Sequence, residues 1–377
     1  MRLFLVTFLL AYILMHAYAF FRIKAALSLS TKMAVSISVF MAVMVLSPFI
    51  IHYAERQGLE FFARLMSYTG YLWMGELFLF VSASFAFDIY RMILSAVNSI
   101  FRRDPHTIIP SAQLSFFISL LFSITACAYG YFDAKDIRTE HLTVTSSRIS
   151  RALKIVQISD VHIGLIVRGD RVRKIMDIVR TANPDILVST GDLVDGQING
   201  LEGIANILNE INPGYGKFAI TGNHEFYAGL GQALSFTEKA GFRILREEAV
   251  DVGGINIAGV DDPASNIYGL SRKVSEKELL SGLDPEKFTL LLKHRPLADK
   301  NAAGLFDLQL SGHTHKGQIF PFSLITKIYY PSHAGLSSLP GNSLLYVSRG
   351  AGTWGPPVRF LSPPEVTVID LVPLPIP

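Results

Sequence analysis

The chain has 377 residues, half of them hydrophobic and 17% charged, with mean hydropathy +0.36 and formal net charge +3. Soluble domains carry about 25% charged residues, so this composition excludes a disordered chain, a collagen-like chain and an ordinary cytosolic enzyme. One cysteine, Cys127, excludes an intramolecular disulfide framework, a cysteine-rich zinc site and an iron–sulfur cluster.

Charge is unevenly placed. Residues 1–130 hold nine Lys/Arg against five Asp/Glu, and the remainder hold 25 against 26. The basic excess therefore lies among apolar runs, as basic loops at a membrane do. It offers no basic face on a folded domain, so nucleic acid is not expected as a partner.

Four apolar runs fill the first third, at residues 3–21, 33–51, 68–89 and 108–129. Each is close to the ~20 residues that cross ~30 Å of hydrocarbon. Between them lie Arg22, Lys24 and Lys32, then Arg56 and Arg64, then Arg91, Arg102 and Arg103. Tyr18, Tyr68, Trp73 and Tyr129 sit toward run ends, where interfacial aromatics anchor. The first run reads as an uncleaved helix, since it is long and no clear small-x-small cleavage site follows before three more spans. Basic residues tie at six on each side, so the positive-inside rule assigns no face. Residues 1–132 thus read as a four-helix transmembrane region of an integral, multi-pass protein of the plasma or inner membrane. Glu76 lies inside the third run, where a carboxylate is costly; snorkelling and a transport role both fit it. The piece LEFFARLM between runs two and three fits an interfacial helix or a plain loop. His16, His52, His106, His141 and His333 read as packing or surface residues.

Residues 133–150 read as a linker with a first strand at 141–145. Residues 151–377 then read as a soluble α/β domain. β-rich runs fall at 153–159, 185–190, 217–221, 255–260, 288–293, 308–311, 344–348 and 366–371. Helical patterns fall at 172–182, 201–211, 231–240 and 275–281. Alternation early and strands late predict a mixed sheet system with helices outside.

Five β-rich runs end in polar groups, and α/β sites form at strand ends. The first ends in Asp160 and His162, the second in Asp192 and Asp195, the third in Asn223, His224 and Glu225. His294 ends a fourth, and His313 and His315 end a fifth. An oxygen and imidazole donor set without thiolate suits Mn, Fe or Zn. It exceeds what one catalytic zinc takes, about three protein ligands plus water. Two ions about 3.5–4 Å apart, sharing a carboxylate, would use the set and clamp an in-line phosphoryl displacement. Gly191, Gly222 and Gly312 each precede a donor and allow a tight turn there.

The ordered series D-x-H, G-D-x-x-D, G-N-H-E, an isolated His and G-H-T-H resembles the calcineurin-like metallophosphoesterase superfamily. The nearest resemblance is to its bacterial membrane-associated branch, over about residues 150–371. The resemblance implies two packed mixed β-sheets flanked by helices. It implies a first divalent ion at Asp160, His162, Asp192 and His315, and a second at Asp192, Asn223, His294 and His313, with Asp192 bridging. A hydroxide between the ions would be the nucleophile. His224 would stabilise phosphate charge or protonate the leaving oxygen, and Asp195 would orient it. That branch usually has glycines after G-H-T-H; here Lys316 comes first, and it either touches an anionic substrate or points to solvent. In SRGAGTWGPPVRF (348–360), Trp354 and Arg359 either line the pocket or stiffen the connection before the last strand.

The expectation is a membrane-anchored phosphoesterase cutting a phosphodiester, a phosphomonoester or a pyrophosphate. Lipid-linked substrates, such as a UDP-diacylglucosamine-type pyrophosphate, are one such class. The alternative is a membrane transporter or sensor regulated by a metal-binding domain with little turnover. No G-x-x-x-x-G-K-[ST] and no G-x-S-x-G occur, which argues against a P-loop nucleotidase and an α/β-hydrolase.

Overall fold

A computed structural model of the protein describes residues 2–101, 109–196, 201–272 and 274–374. Arg102, Arg103, His106, Ile108 and the last residues of the Pro-rich tail lie outside them. The chain divides into two units: Met1–Phe132 with Gly355–Val358, and Asp133–Trp354 with Arg359–Pro377.

The first unit is helical: α1 (Arg2–Ala26), α2 (Thr31–Arg56), α3 (Glu60–Phe101) and α4 (Ala112–Asp133). Among the described residues, these four are long and apolar enough to cross a membrane. Ser30 caps α2 by accepting from the Met33 N–H at 3.3 Å. α3 is 42 residues long, roughly 63 Å, about twice a hydrocarbon core. LEFFARLM is therefore no separate element: from Glu60 on it is the start of α3, which also runs past residue 89. No proline interrupts that stretch, so nothing in the sequence stops the helix.

Several polar side chains inside this unit are paired between helices. Ser123 on α4 donates to Glu76 at 2.6 Å, so Glu76 turns toward a neighbouring helix rather than snorkelling. Trp73 donates to His16 at 2.9 Å, and Arg22 donates to Asp88 at 2.8 Å. A Cβ on Gly70 would meet Ser47 Oγ at 2.5 Å, the close approach that small residues permit between α2 and α3.

The second unit holds twelve strands among its described residues. They are β1 (Arg138–Ser146), β2 (Leu153–Ile158), β3 (Ile186–Ser189), β4 (Lys217–Ala219), β5 (Arg243–Ile244) and β6 (Glu248–Val252). Then follow β7 (Ile255–Gly259), β8 (Thr289–Leu292), β9 (Leu308–Ser311), β10 (Gly335–Ser338), β11 (Leu344–Val347) and β12 (Glu365–Pro373). They form two six-stranded sheets, ordered β1-β12-β2-β3-β4-β5 and β10-β11-β9-β8-β7-β6. Both are mixed: β12 meets β2 antiparallel in one, and β6 meets β7 antiparallel in the other.

Alternation along each strand sends side chains to two cores. Ile155, Ile186, Val188, Leu290 and Leu310 join the core that both sheets share. Val156, Ile158 and Leu187 join the core under the helices. Those helices include α5 (Gly169–Ala182), α6 (Glu202–Asn209), α7 (Asn223–Ala228) and α8 (Leu230–Lys239). On α5 the buried Val172, Ile175, Met176 and Val179 follow helical spacing, and Asn183 ends it in the left-handed region. The short helices α9 (Ala264–Ile267), α10 (Glu276–Ser281) and α11 (Phe322–Tyr329) complete the unit. Each predicted strand run is present; β5, β6, β10, α7, α9 and α11 were not predicted, being short or lacking a clean period.

Candidate metal centre

The chemistry-bearing residues lie just past the ends of β2, β3, β4, β8 and β9, which the sheet order sets side by side or face to face. Their backbones turn sharply there. Asp160, His162, Asp192, His313 and His315 all have positive φ, between 48° and 70°. That conformation costs non-glycine residues of order 1–3 kcal/mol each, so the surroundings must hold it. They do: the Asp160 N–H donates to Gly191 O at 3.1 Å, and the His162 N–H to Asp192 O at 3.0 Å. The His313 N–H donates to the Asp160 carboxylate at 2.9 Å. Gly191, at φ +93°, has no room for a side chain, since a Cβ would lie 2.6 Å from Gly222 N.

Two donor clusters result. Asp160, His162 and His315 form one, and Asp192, His294 and His313 the other, each within 4.8 Å. His162 Nε2 and His315 Nε2 are 3.0 Å apart. His294 Nε2 lies 3.2 Å from Asp192 Oδ2 and 3.2 Å from His313 Nδ1. Asp192 Oδ2 is also 3.9 Å from His162 Nε2, so one carboxylate oxygen faces both clusters. Its other oxygen, Oδ1, accepts from the His224 N–H at 2.8 Å.

The residues fit divalent cations. Asn223 Oδ1 is buried without a hydrogen-bond partner, an arrangement that is costly unless something positive completes it. His294 Nδ1 donates to Thr190 O at 2.8 Å, which aims Nε2 at Asp192; burial opposes protonation of the ring, but Asp192 pushes it up to about 10, so a cation there would displace the Nε2 proton. Burial and the neighbouring His224 charge pull His162 down to about 4. Burial likewise drives His313 and His315 well below their ordinary range, with His294 and Arg359 respectively adding to it. Burial alone would raise Asp192, but His294 and His224 hold it well below the usual carboxylate range. Neutral imidazoles around an ionised carboxylate are the donor chemistry of a metal site.

His224 joins His162 and Asp192 in a third, overlapping group of donors within 4.8 Å. Its Nδ1 lies 2.8 Å from Asp195 Oδ1, and its ring packs edge-on to His162 at 4.6 Å. Burial opposes its protonation, yet Asp192 and Asp195 push it up to about 9. Tyr227, which sequence reasoning did not single out, packs 5.2 Å from the same ring and is half exposed. Trp354 lies 6.2 Å from the same ring and is exposed.

Arg359 is elsewhere than the pocket wall. It is fully buried, and its guanidinium donates to Gly350 O, Gly352 O, Arg349 O and His315 Nδ1, the last at 2.8 Å. A guanidinium only donates, so the neutral His315 ring carries its proton on Nε2, toward His162. A divalent cation there would take that proton's place. Lys316 follows in the same turn, half-buried, and makes no hydrogen bond or ion pair with the clusters among the described residues. Glu225, which the sequence places at a strand end without a role, is a brace for the site. Its buried carboxylate accepts from the N–H groups of Asp192, Leu193 and Gly222 at 3.0, 2.8 and 2.7 Å, tying two donor loops together.

Comparison with known proteins agrees with this geometry. The calcineurin-like phosphoesterase family profile matches residues 153–317. An uncharacterized metallophosphoesterase of Aquifex aeolicus is 40% identical over 256 residues, 67% of this chain and 98% of that protein. An uncharacterized metallophosphoesterase of Helicobacter pylori strain J99 is 37% identical, over 60% of this chain and 61% of that one. A transmembrane protein with metallophosphoesterase domain from Danio rerio is 28% identical, over 67% of this chain and 62% of that one. The chain thus spans about three fifths of the length of the latter two.

Proposed function

This chain belongs to the calcineurin-like phosphoesterase family, and from that premise we propose a membrane-anchored phosphoesterase that uses two divalent cations. The observation that carries this reading is Asp192 Oδ2, which faces both donor clusters. In this reading Asp160, His162, Asp192 and His315 hold one ion, and Asp192, Asn223, His294 and His313 hold the other. Mn, Fe or Zn would serve, and bound ions supply Lewis acidity toward phosphoryl oxygens. The substrate is a phosphodiester, a phosphomonoester or a pyrophosphate. His224 donates a proton to the leaving oxygen, and Asp195 fixes which ring nitrogen faces it. Trp354 and Tyr227 border the approach to that histidine.

The four long apolar helices support the membrane anchor, as does the transmembrane relative. We read the same helices as a multi-pass anchor in a plasma or inner membrane. A transporter or sensor reading draws only on Glu76, and Ser123 already engages that carboxylate between two helices.

The test is hydrolysis of an aryl phosphodiester and an aryl phosphomonoester by the full chain in detergent. Turnover should require added Mn, stop with chelator, and fall by roughly 10³-fold or more in Asp192→Asn. Turnover retained in Asp192→Asn overturns the reading.

A further inference from the structure

The helix α11, FSLITKIY, wears its apolar residues outward. Ile328 is 78% exposed, Tyr329 73% and Leu324 58%, and Phe322 and Ile325 are exposed too. Thr326, a polar residue, is the one that is buried. An ordinary surface helix does the reverse, and contiguous exposed apolar patches mark interaction sites.

This helix borders the metal centre. A Cβ on Gly317, two residues past His315, would collide with the backbone of Ser323 on α11. Tyr330, which closes the helix, packs its ring 5.4 Å from that of His313. Anything that seats on α11 therefore sits beside the donor clusters.

The surface chemistry fits a bilayer. Lys327 is exposed on the same helix, and Lys316 lies in the adjoining turn, so cations accompany the apolar face. Phe, Tyr and Leu beside Lys are what an interfacial helix presents to anionic headgroups. The unit that holds α11 follows the apolar helices closely in sequence, with four residues between Asp133 at the end of α4 and Arg138 at the start of β1. A second copy of the chain fits less well. Eight residues of helix are about 12 Å long, a small fraction of the ~800 Å² that a stable interface buries on each partner.

We propose that α11 seats in the headgroup layer of the membrane and that the adjoining site takes its phosphate ester from an anionic lipid. The substrate half of this proposal rests on the phosphoesterase reading above; the seating half does not.

Two measurements on the full chain in phosphatidylcholine–phosphatidylglycerol vesicles separate the halves. For seating, Ile328→Cys in a Cys127→Ala background carries an environment-sensitive fluorophore. Quenching by shallow spin-labelled lipid, with little quenching by aqueous iodide, is expected. Iodide quenching without lipid quenching overturns the seating, and so does protection from both, which would mean that protein covers the helix. For the substrate, a long-chain alkyl para-nitrophenyl phosphodiester in the vesicles is compared with its soluble methyl analogue. The unaltered chain should favour the vesicle-borne ester by at least tenfold in kcat/KM. The double variant Leu324→Ser, Ile328→Ser should lose that preference while cleaving the methyl ester within twofold of the original rate. No preference, or one that survives the double variant, overturns lipid delivery. Cleavage of neither diester overturns lipid delivery of a phosphodiester; if the aryl phosphomonoester is also left uncleaved, the phosphoesterase reading itself falls, and the fluorophore result stands in either case.

Discussion

His224 Nδ1 and Asp195 Oδ1 lie 2.8 Å apart, joined across 29 residues of sequence. The carboxylate fixes the ring so that Nε2 faces the space beside His162. A ring so placed suits proton donation to a leaving oxygen, and general-acid catalysis contributes about 10²–10⁴-fold. The gain matters only for a leaving group that needs the proton. His224→Asn should therefore slow hydrolysis of an alkyl phosphodiester by about 10²-fold or more, yet slow a para-nitrophenyl ester far less. Asp195→Asn should move both rates in the same direction by smaller factors. Steady-state rates across a series of leaving groups decide it. An equal loss for every leaving group would assign His224 to phosphate binding alone.

Arg359 acts on the site through His315 rather than through substrate. Its guanidinium holds His315 Nδ1 and four backbone carbonyls, and it has no exposed surface. Arg359→Met leaves those acceptors buried and unpaired, which costs about 2–4 kcal/mol of stability. It also frees the ring orientation at one donor cluster. Metal content measured on purified protein should drop by about one ion per chain, with the other ion retained. Arg359→Lys keeps the charge but lacks the planar fork and should rescue little. Full metal content in both variants would confine Arg359 to a purely structural role.

Much of this site is legible in the sequence because each donor closes a β-run. Asp160, Asp192, Asn223, His294 and His313 all follow short hydrophobic strands, and parallel neighbours bring such ends together. The resemblance then suggested how the donors group. What stayed hidden depends on partners distant in sequence. Arg359 meets His315 across 44 residues, and nothing local tells an inward guanidinium from one lining a pocket. Glu225 belongs to G-N-H-E, but its service to the Asp192 loop appears only when β3 and β4 pair. α11 was missed because FSLITKIY is only eight residues long, too short for its period to stand out, and the outward turn of its apolar residues is the unusual feature. The length of α3 was missed because hydropathy marks its most apolar stretch and not the helical residues on either side.

Gly312 shows how little room the site leaves. A Cβ there would overlap both Ser159 Oγ and an Asp160 carboxylate oxygen, two groups already hydrogen-bonded to each other. Asp160 also receives the His313 N–H, so pushing it aside disturbs both donor clusters. Gly312→Ala should reduce turnover by at least about 10²-fold, since a displacement near 1 Å can cost that much. Metal content should fall with it. Gly203, where a Cβ would meet nothing within 4 Å, is the matched control, and Gly203→Ala should leave turnover unchanged. Equal activity in the two variants would refute the steric argument.

Lys217 lies outside the site and gives a pH prediction for stability. It is 4% exposed on β4, and its ammonium donates to Leu208 O at 3.0 Å and Ala240 O at 2.8 Å. Those carbonyls end α6 and α8, so one cation satisfies two helix termini. Burial nonetheless pulls its pKa from 10.5 down to about 8. Between those values the unfolded chain binds more proton than the folded chain, so this residue makes stability rise with pH. The cost of burying its charge is fully present below about pH 8 and is relieved as pH climbs toward 10.5. Lys217→Met removes that titration and leaves both carbonyls without a donor, costing about 1–3 kcal/mol at pH 7. Pulse proteolysis in urea, following the fragment that contains residues 151–374, measures both effects. The difference in midpoint between the original chain and Lys217→Met should widen from pH 8 to pH 10, because other titrating groups cancel in it. A constant or shrinking difference would mean that Lys217 keeps its ordinary pKa, held by the two helix ends rather than weakened by burial.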